Sequence, residues 1–408
     1  MQADADMRKK AEDALGKSAA YGEDFNLDEY SAGATDVRYE QNLTELTEED
    51  KRTLLNVGFT PGEENRSGSL IMVDNKIAHT SLHDSDAVEL MSLSDAMKVH
   101  SWVKDYMWKL IKPDADKYTA MSYLQDANGY FIRAPAGKKS KMPVQTCLLI
   151  GSKQVSQTVH NIIIVEEGAE LEVITGCSTK HGVEKGLHLG ISEMYVQKGA
   201  TLNFTMIHNW ADQIGVRPRT VVHVEENGKY ISNYVTLKPV KSIQAYPTVL
   251  LEGKGAFTRL NTIAVAHPGS ELDLGSRVIF NAEDTSAELI SRTITTGGVS
   301  IARGEMIGNA NGAKGHLECH GLVLSDKGTQ RAIPILEANV QNIELSHEAA
   351  VGRIAREQIE YLMARGLTEE DAIGMIVRGF LDVGIQGIPD ELRADIDETI
   401  AKIGENAI

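Results

Sequence analysis

Cys319 sits in the run His316-Leu317-Glu318-Cys319-His320, and His347-Glu348 follow 28 residues after the cysteine. Thiolate, imidazole and carboxylate are the groups that hold soft and borderline metals. If the first run is a strand, His316, Glu318 and His320 share one face and Cys319 points to the other. The cysteine and its immediate neighbours then do not form one mononuclear site. No Cys-x-x-Cys and no His-Glu-x-x-His occurs in the sequence, which removes the usual zinc signatures. His347-Glu348 also reads as a helix start, with Ser346 as N-cap and Glu348 complementing the helix dipole. Cys147, within Thr146-Cys147-Leu148-Leu149-Ile150, reads as a core residue.

Other chemistries lack their motifs. There is no Walker A pattern, no G-x-G-x-x-G opening a helix after a strand, and no nucleophile elbow. Nucleotide hydrolysis is therefore not expected of this chain, nor any enzyme activity of its own. A formal charge of -17, from 41 basic and 58 acidic residues, disfavours nucleic acid as a partner. Met1 to Lys10 is polar, so no secretory signal is expected there. Apolar runs such as Ile162–Val165 fall far short of the ~20 residues a membrane helix needs. Three scattered cysteines point to a reducing, cytoplasmic setting rather than a disulfide framework.

Three regions must position these residues. Residues 1–128 read as mainly helical, with Met7, Ala11 and Leu15 at helical spacing. A second helix is expected from Ser94, with Val99, Trp102, Tyr106 and Leu110 on one stripe and Pro113 as its stop. Between them, Leu70–Val73 and Ile77–Thr80 suggest a hairpin around Asp74-Asn75. Residues 129–345 lose helical periodicity, and short β-branched strands alternate with turns carrying Gly168, Gly199, Gly228, Gly255 and Gly269. A strand–turn unit recurring in this way suggests a β-helix, glycine supplying the positive φ at each corner; an irregular β-sandwich is the alternative. Residues 346–408 return to helix: Thr368-Glu369-Glu370-Asp371 is a capping-box-like start, and a last helix is expected from Pro389 with Leu392, Ile396, Ile400 and Ile403. Such helices cap the solenoid or dock a partner.

The stretch His347-Glu348-Ala349, Ile354, Glu357-Gln358, Tyr361, Arg365-Gly366, Glu369-Glu370-Asp371-Ala372, Met375-Ile376-Val377 and Gly379-Phe380 resembles the C-terminal signature of the SufB/SufD family. Upstream, Tyr130 to Gly137 resembles the family's strand and turn entering the core. Gly176-Cys177 with His208-Asn209-Trp210 is similar to the SufB G-C…Q-N-W pair, His208 replacing glutamine. Cys319 stands where SufB-type subunits carry a cysteine and SufD-type subunits typically do not.

The resemblance implies a right-handed parallel β-helix core with helical ends, and a scaffold role in iron–sulfur cluster assembly. It implies a transient cluster, of 4Fe-4S type, on Cys319, His347 and Glu348, with His316 or His320 assisting. It implies that Cys177, with His208 and Trp210, starts a sulfur route, while a sulfur donor and apo-protein acceptors complete the traffic. Thr368, Glu369, Glu370, Asp371, Ile373, Met375, Ile376 and Phe380 correspond to the docking surface for a SufC-type ABC ATPase. The chain resembles compact SufB-like subunits, which implies a homodimer rather than a heterodimer with a SufD-like subunit. A SufD-like structural or iron-entry role, and a β-helix enzyme acting on polysaccharide, are the competing readings.

Overall fold

A computed structural model describes residues 2–32, 37–62, 64–126, 128–381 and 398. The centre is a parallel β-solenoid of about eight turns. One wall is a ten-stranded sheet. Its strands are β1 (Gly68–Val73), β2 (Lys76–Leu82), β3 (Val144–Ile150), β4 (Glu170–Thr179) and β5 (Thr201–Asn209). They continue as β6 (Lys229–Thr236), β7 (Phe257–Ala266), β8 (Ser286–Thr295), β9 (Ala313–Val323) and β10 (Ile343–Gly352). From β1 through β3 to β10 every neighbour is parallel; β2 pairs antiparallel with β1 at the edge. An eleven-stranded sheet, ending at Thr329–Ala338, forms the facing wall.

Strand alternation separates two cores. Inward residues of the ten-stranded sheet, such as Val173, Cys177, Phe204, Leu260, Leu289, Leu317 and Cys319, fill the lumen. Outward residues Cys147, Leu149, Ile174, Ile207, Val235, Ile263 and Ile294 form a second core against terminal segments. Cys147 is fully buried there, as its sequence setting suggested. Gly176 lets the chain after α2 (Glu48–Leu55) approach β4, because a Cβ at 176 would lie 2.5 Å from Val57.

Corners use positive φ as expected at Gly168, Gly199, Gly255 and Gly269. In the remaining turn Asn227, at φ 54°, takes that role rather than Gly228; asparagine tolerates the left-handed region. The hairpin at Asp74-Asn75 is present as β1–β2, and β1 already pairs with β3. The sheets thus start before residue 129 and run past residue 345.

The expected long helix from Ser94 is instead short. A helix at Leu93–Val99 is capped by Ser92, followed by a 3-10 turn at Ser101–Asp105. Val99 is exposed, while Trp102, Tyr106 and Leu110 still pack together on the facing wall. The backbone leaves the helix because buried Glu193 captures its amides. One carboxylate oxygen accepts the N–H of Trp108 at 2.6 Å, and the other those of Leu110 and Ile111 at 2.5 and 3.2 Å. His160 Nε2 lies 2.8 Å from the same carboxylate, and both side chains are fully buried. Trp108 adopts φ 56° to make this turn.

Helix α1 (Gln2–Ala14) packs on Lys117–Leu124, and Ala11 is buried as its spacing suggested. At the other end, Arg356–Met363 and Glu369–Leu381 fold back onto the outer face of the ten-stranded sheet. Thr368 caps the second of these, its hydroxyl accepting the Asp371 N–H at 3.1 Å. The helix expected from Pro389 lies outside the described residues. Among the described residues the last coil is uncovered: Ile335, Leu336 and Val351 are exposed, and Thr329–Ala338 and β10 each pair on one side alone. No described helix is long and apolar enough to cross a membrane.

Candidate functional site

His347 and Glu348 lie within strand β10, so they do not open a helix. The next helix begins at Arg356, after Ala355. In β9, Cys319 points into the lumen and is 1% exposed, while His316, Glu318 and His320 point outward. This is the two-faced arrangement read from the sequence. The register pairs Leu317 with His347, Glu318 with Glu348 and Cys319 with Ala349. His347 therefore shares the lumen face with Cys319, one strand over and one inward position along. Glu348 lies on the opposite face.

The outward group is a charged set. Arg292 Nη2 is 2.5 Å from Glu318 Oε1, and His320 Nδ1 is 3.3 Å from the same oxygen. His320 Nε2 is 3.8 Å from Glu348 Oε1, too long for a hydrogen bond. His316 Nδ1 pairs with Ser346 Oγ at 2.9 Å. Phe380 lies under the Arg292 guanidinium at 6.0 Å, which links this face to the C-terminal helix. Among the described residues no three His, Cys, Asp or Glu side chains converge as a metal-binding group.

The inward group keeps unused valences. His347 Nε2 is buried and has no hydrogen-bond partner among the described residues. Gln330 reaches across from the facing wall and donates Nε2–H to Thr293 Oγ1 at 2.7 Å, leaving its buried Oε1 unpartnered. Gly321, two residues beyond Cys319, makes room for it: a Cβ there would lie 2.5 Å from Gln330 Cγ. Nothing in the sequence around Gln330 marked it, because its partner wall is set by the coil register.

Burial, followed by the neighbouring Glu318, pushes the Cys319 thiol up to about 11. Alkylation needs the thiolate. In the metal-free protein the Cys319 alkylation rate should therefore rise about tenfold per pH unit from pH 7 to 10, with no plateau near the ordinary cysteine pKa of ~8.5. A plateau near pH 9, read by peptide-resolved mass spectrometry, would contradict this burial.

Cys177 lies on β4, five strands back along the same lumen, fully buried, its Sγ 3.6 Å from Met206 Sδ. It is in register with His208. His208 Nδ1 pairs with Tyr234 OH at 2.8 Å, while its Nε2 is buried and unpartnered. His188 packs beside Trp210, ring centroids 5.0 Å apart, and His208 lies 5.5 Å from Trp210. Gln157 donates its amide nitrogen to two backbone carbonyls, so its oxygen accepts His188 Nδ1–H at 2.8 Å. Burial pushes His188 down to about 3 and His208 well below the usual imidazole range. Both rings are neutral at physiological pH. His188 had no signal in the sequence.

Two inward rows connect the cysteines. One runs Cys177, His208, Thr236, Ala264, Thr293, Gly321; the other runs Thr175, Met206, Tyr234, Thr262, Ser291, Cys319. Five strand spacings of ~4.8 Å separate Cys177 from Cys319, roughly 24 Å. A cavity of about 60 Å³ lies along the first part, lined by His188, His208, Met206, Tyr234 and Thr262.

The surface expected to meet an ATPase is divided by packing. Ile373 is buried against the sheet, and Ile376 and Phe380 are partly buried there. Met375 is exposed, as are Tyr361 and Met363 on the preceding helix. Glu369 is tied to Arg356.

Residues 148–380 match the sequence family described as SUF system FeS cluster assembly, SufBD core domain. A protein of Methanothermobacter thermautotrophicus named "Iron-sulfur cluster assembly SufBD family protein" is 46% identical over 396 residues, 96% of each chain. A protein of the same name from Archaeoglobus fulgidus is 50% identical over 351 residues, 86% of this chain and 94% of that one. "Iron-sulfur cluster assembly protein SufB" of Bacillus subtilis is 29% identical over 373 residues, covering 89% and 80%. With a matched core spanning more than half its length, this chain belongs to the SufBD family of iron–sulfur cluster assembly proteins.

Proposed function

We propose that the chain is a non-enzymatic, cytoplasmic scaffold that receives sulfur at Cys177 and assembles a transient 4Fe-4S cluster at the end of the lumen beside Cys319. The observation that carries this reading is the pair of inward rows running between the two thiols, whose middle positions are His208, Tyr234, Thr236, Thr262, Ser291 and Thr293, interrupted by Met206 and Ala264. Hydroxyl and imidazole groups solvate a small polar sulfur species that an all-apolar core would exclude. At the far end, Cys319 offers its sulfur and His347 an imidazole whose Nε2 has no partner among the described residues. Few protein thiolates make a labile site, which suits a scaffold that must hand its cluster to apo-protein acceptors. Glu348, on the outer face, reaches such a cluster only around the open edge of β10. Purified anaerobically and supplied with ferrous iron and sulfide, the protein is expected to develop a broad band near ~400 nm. A colourless product under these conditions refutes the scaffold role.

The exposed last coil favours a second copy as partner. Among the described residues two uncovered strand edges, with Ile335, Leu336 and Val351 beside them, offer a surface on which a second copy can pair, and a two-fold dimer there would bring two Cys319 sites together. Light scattering at micromolar concentration is expected to give twice the mass of the 408-residue chain; a monomer rejects the dimer. A SufC-type ATPase docks on the exposed side of the C-terminal helices. Met375→Glu should weaken that complex by about 2 kcal/mol, as loss of an apolar interface anchor does. Circular dichroism should stay unchanged, since Met375 is exposed. Undiminished binding by titration calorimetry moves the docking surface elsewhere.

A further inference from the structure

Leu317, Cys319 and Gly321 are successive inward residues of β9. The facing-wall strand Val299–Gly308 sets Gly304, Ala302 and Ser300 against them. Gly304 lies across from Leu317, since a Cβ at 304 would sit 2.3 Å from Leu317 Cδ1. Gln330, in register with Ser300, lies across from Gly321. Between these two contacts Cys319 faces Ala302, which is buried in the same lumen core. In the last coil Ala332 is in register with Ala302, and Ala349 with Cys319. The space over the thiol is thus bordered by two methyl groups, with longer side chains to either side. His347 stands on the Leu317 side and Gln330 on the Gly321 side.

Gln330 is polar where packing asks for nothing polar. Its side chain crosses the lumen, and Nε2 donates one N–H to Thr293 Oγ1 at 2.7 Å. A carboxamide carries two N–H donors and an acceptor oxygen. Among the described residues the second N–H meets no acceptor, and Oε1 is buried without a partner. Ser300 Oγ, its neighbour in register, is likewise buried and unpartnered. Each unmet buried polar group costs about 1–3 kcal/mol. Gly321 gives the amide its place, because a Cβ there would lie 2.8 Å from Gln330 Cδ and 2.9 Å from Nε2. Successive inward positions are about 7 Å apart, so the amide stands beside anything seated on the Cys319 sulfur.

We propose that Gln330 binds the nascent cluster from the flank opposite His347, its unused amide N–H donating to a cluster sulfide. This rests on the reading of Cys319 as the assembly site and adds to it a group that recognises sulfide. Thiolate and imidazole bind the iron atoms of a cluster, whereas its negative charge is concentrated on sulfur and attracts N–H donors. With few protein ligands on iron, a hydrogen bond to sulfide fixes how the cluster sits. It adds no iron–protein bond that release would have to break.

The test compares full-length proteins reconstituted anaerobically with ferrous iron and sulfide. Gln330→Leu keeps the bulk and drops the amide. Gln330→Glu keeps an oxygen that accepts the Thr293 hydroxyl proton but offers no N–H. Both should take up iron and sulfide in the wild-type ratio, yet lose the cluster to EDTA about tenfold faster, as metal sites do on losing an outer partner. Both should also show a lower reduction potential, because a donor to sulfide stabilises the more negative, reduced cluster. Iodoacetamide labelling of Cys319 in the metal-free variants should match the wild type. Wild-type cluster lifetime and potential in Gln330→Leu overturn the proposal. So does a Gln330→Glu protein that behaves like the wild type, since the strut to Thr293 alone would then suffice. Cys319 labelling that speeds up in step with cluster loss also overturns it, because a disturbed lumen would explain both. A wild type that takes up no cluster removes the scaffold reading and this proposal with it, whereas uptake with unchanged variants removes the proposal alone.

Discussion

Replacing Cys319 with serine should remove most of the cluster absorbance of the reconstituted protein while leaving the chain folded. The side chain is 1% exposed and faces the lumen between Ser291 and Ala349 in register, so the exchange of sulfur for oxygen disturbs little packing. The hydroxyl lacks the softness that iron in a sulfide cluster requires. Altering a metal's outer partners already costs ~10–100-fold in affinity, so loss of the ligand itself should exceed about tenfold. His347→Ala should give the next largest loss, because its imidazole shares the lumen face and its Nε2 has no partner among the described residues. Glu348→Ala should cost less in cluster uptake by the isolated chain, since its carboxylate stands on the other face beside His320. The three variants are compared by anaerobic titration with iron and sulfide. Equal cluster content and stability in wild type and Cys319→Ser would remove the assignment.

The largest stability effect is expected far from that site, at Glu193. Its carboxylate accepts three backbone N–H groups from residues 108, 110 and 111 and faces His160 Nε2, with no exposed surface. In Glu193→Ala those donors are buried with nothing to accept them. Breaking a buried, hydrogen-bonded charged group typically costs about 3–5 kcal/mol. The urea midpoint should fall accordingly, and the segment around Trp102, Tyr106 and Trp108 should become protease-sensitive first. Glu193→Gln keeps one acceptor oxygen but turns its NH2 toward either the Trp108 N–H or those of Leu110 and Ile111, so it should lose less than alanine while staying below wild type. An alanine variant within about 1 kcal/mol of wild type would mean that the Trp108 turn is held by packing alone.

Glu193 also marks where the sequence stopped being legible. The stripe Val99, Trp102, Tyr106, Leu110 has helical spacing, but a carboxylate some 80 residues away takes the amides a helix would have used. Local periodicity cannot register a competing acceptor from another coil. The solenoid was legible because its cause is local: strand length and alternation recur from coil to coil, and most corners carry a glycine. The opposite faces of Cys319 and His320 followed from the same alternation. His347-Glu348 was ambiguous, since Ser346 suits a helix cap and a strand edge alike. Pairing with Leu317 and Glu318 decided it. Gln330, His188 and the split of the C-terminal helix into buried Ile373 and exposed Met375 needed three-dimensional register.

The uncovered last coil bears on how such a chain can lengthen or shorten in evolution. Repeats can be gained in a solenoid wherever a coil stacks on two others. Among the described residues the edge of β10 is open, and a further coil pairing with it would cover the lumen end beside Cys319. It would also close the way round the β10 edge from His347 on one face to Glu348 on the other. For the site proposed above, additions upstream of β9 would lengthen the rows between Cys177 and Cys319, whereas one after β10 would cover the site. The proposed site thus fixes the distance of Cys319 from the edge of β10 and leaves the number of upstream coils free.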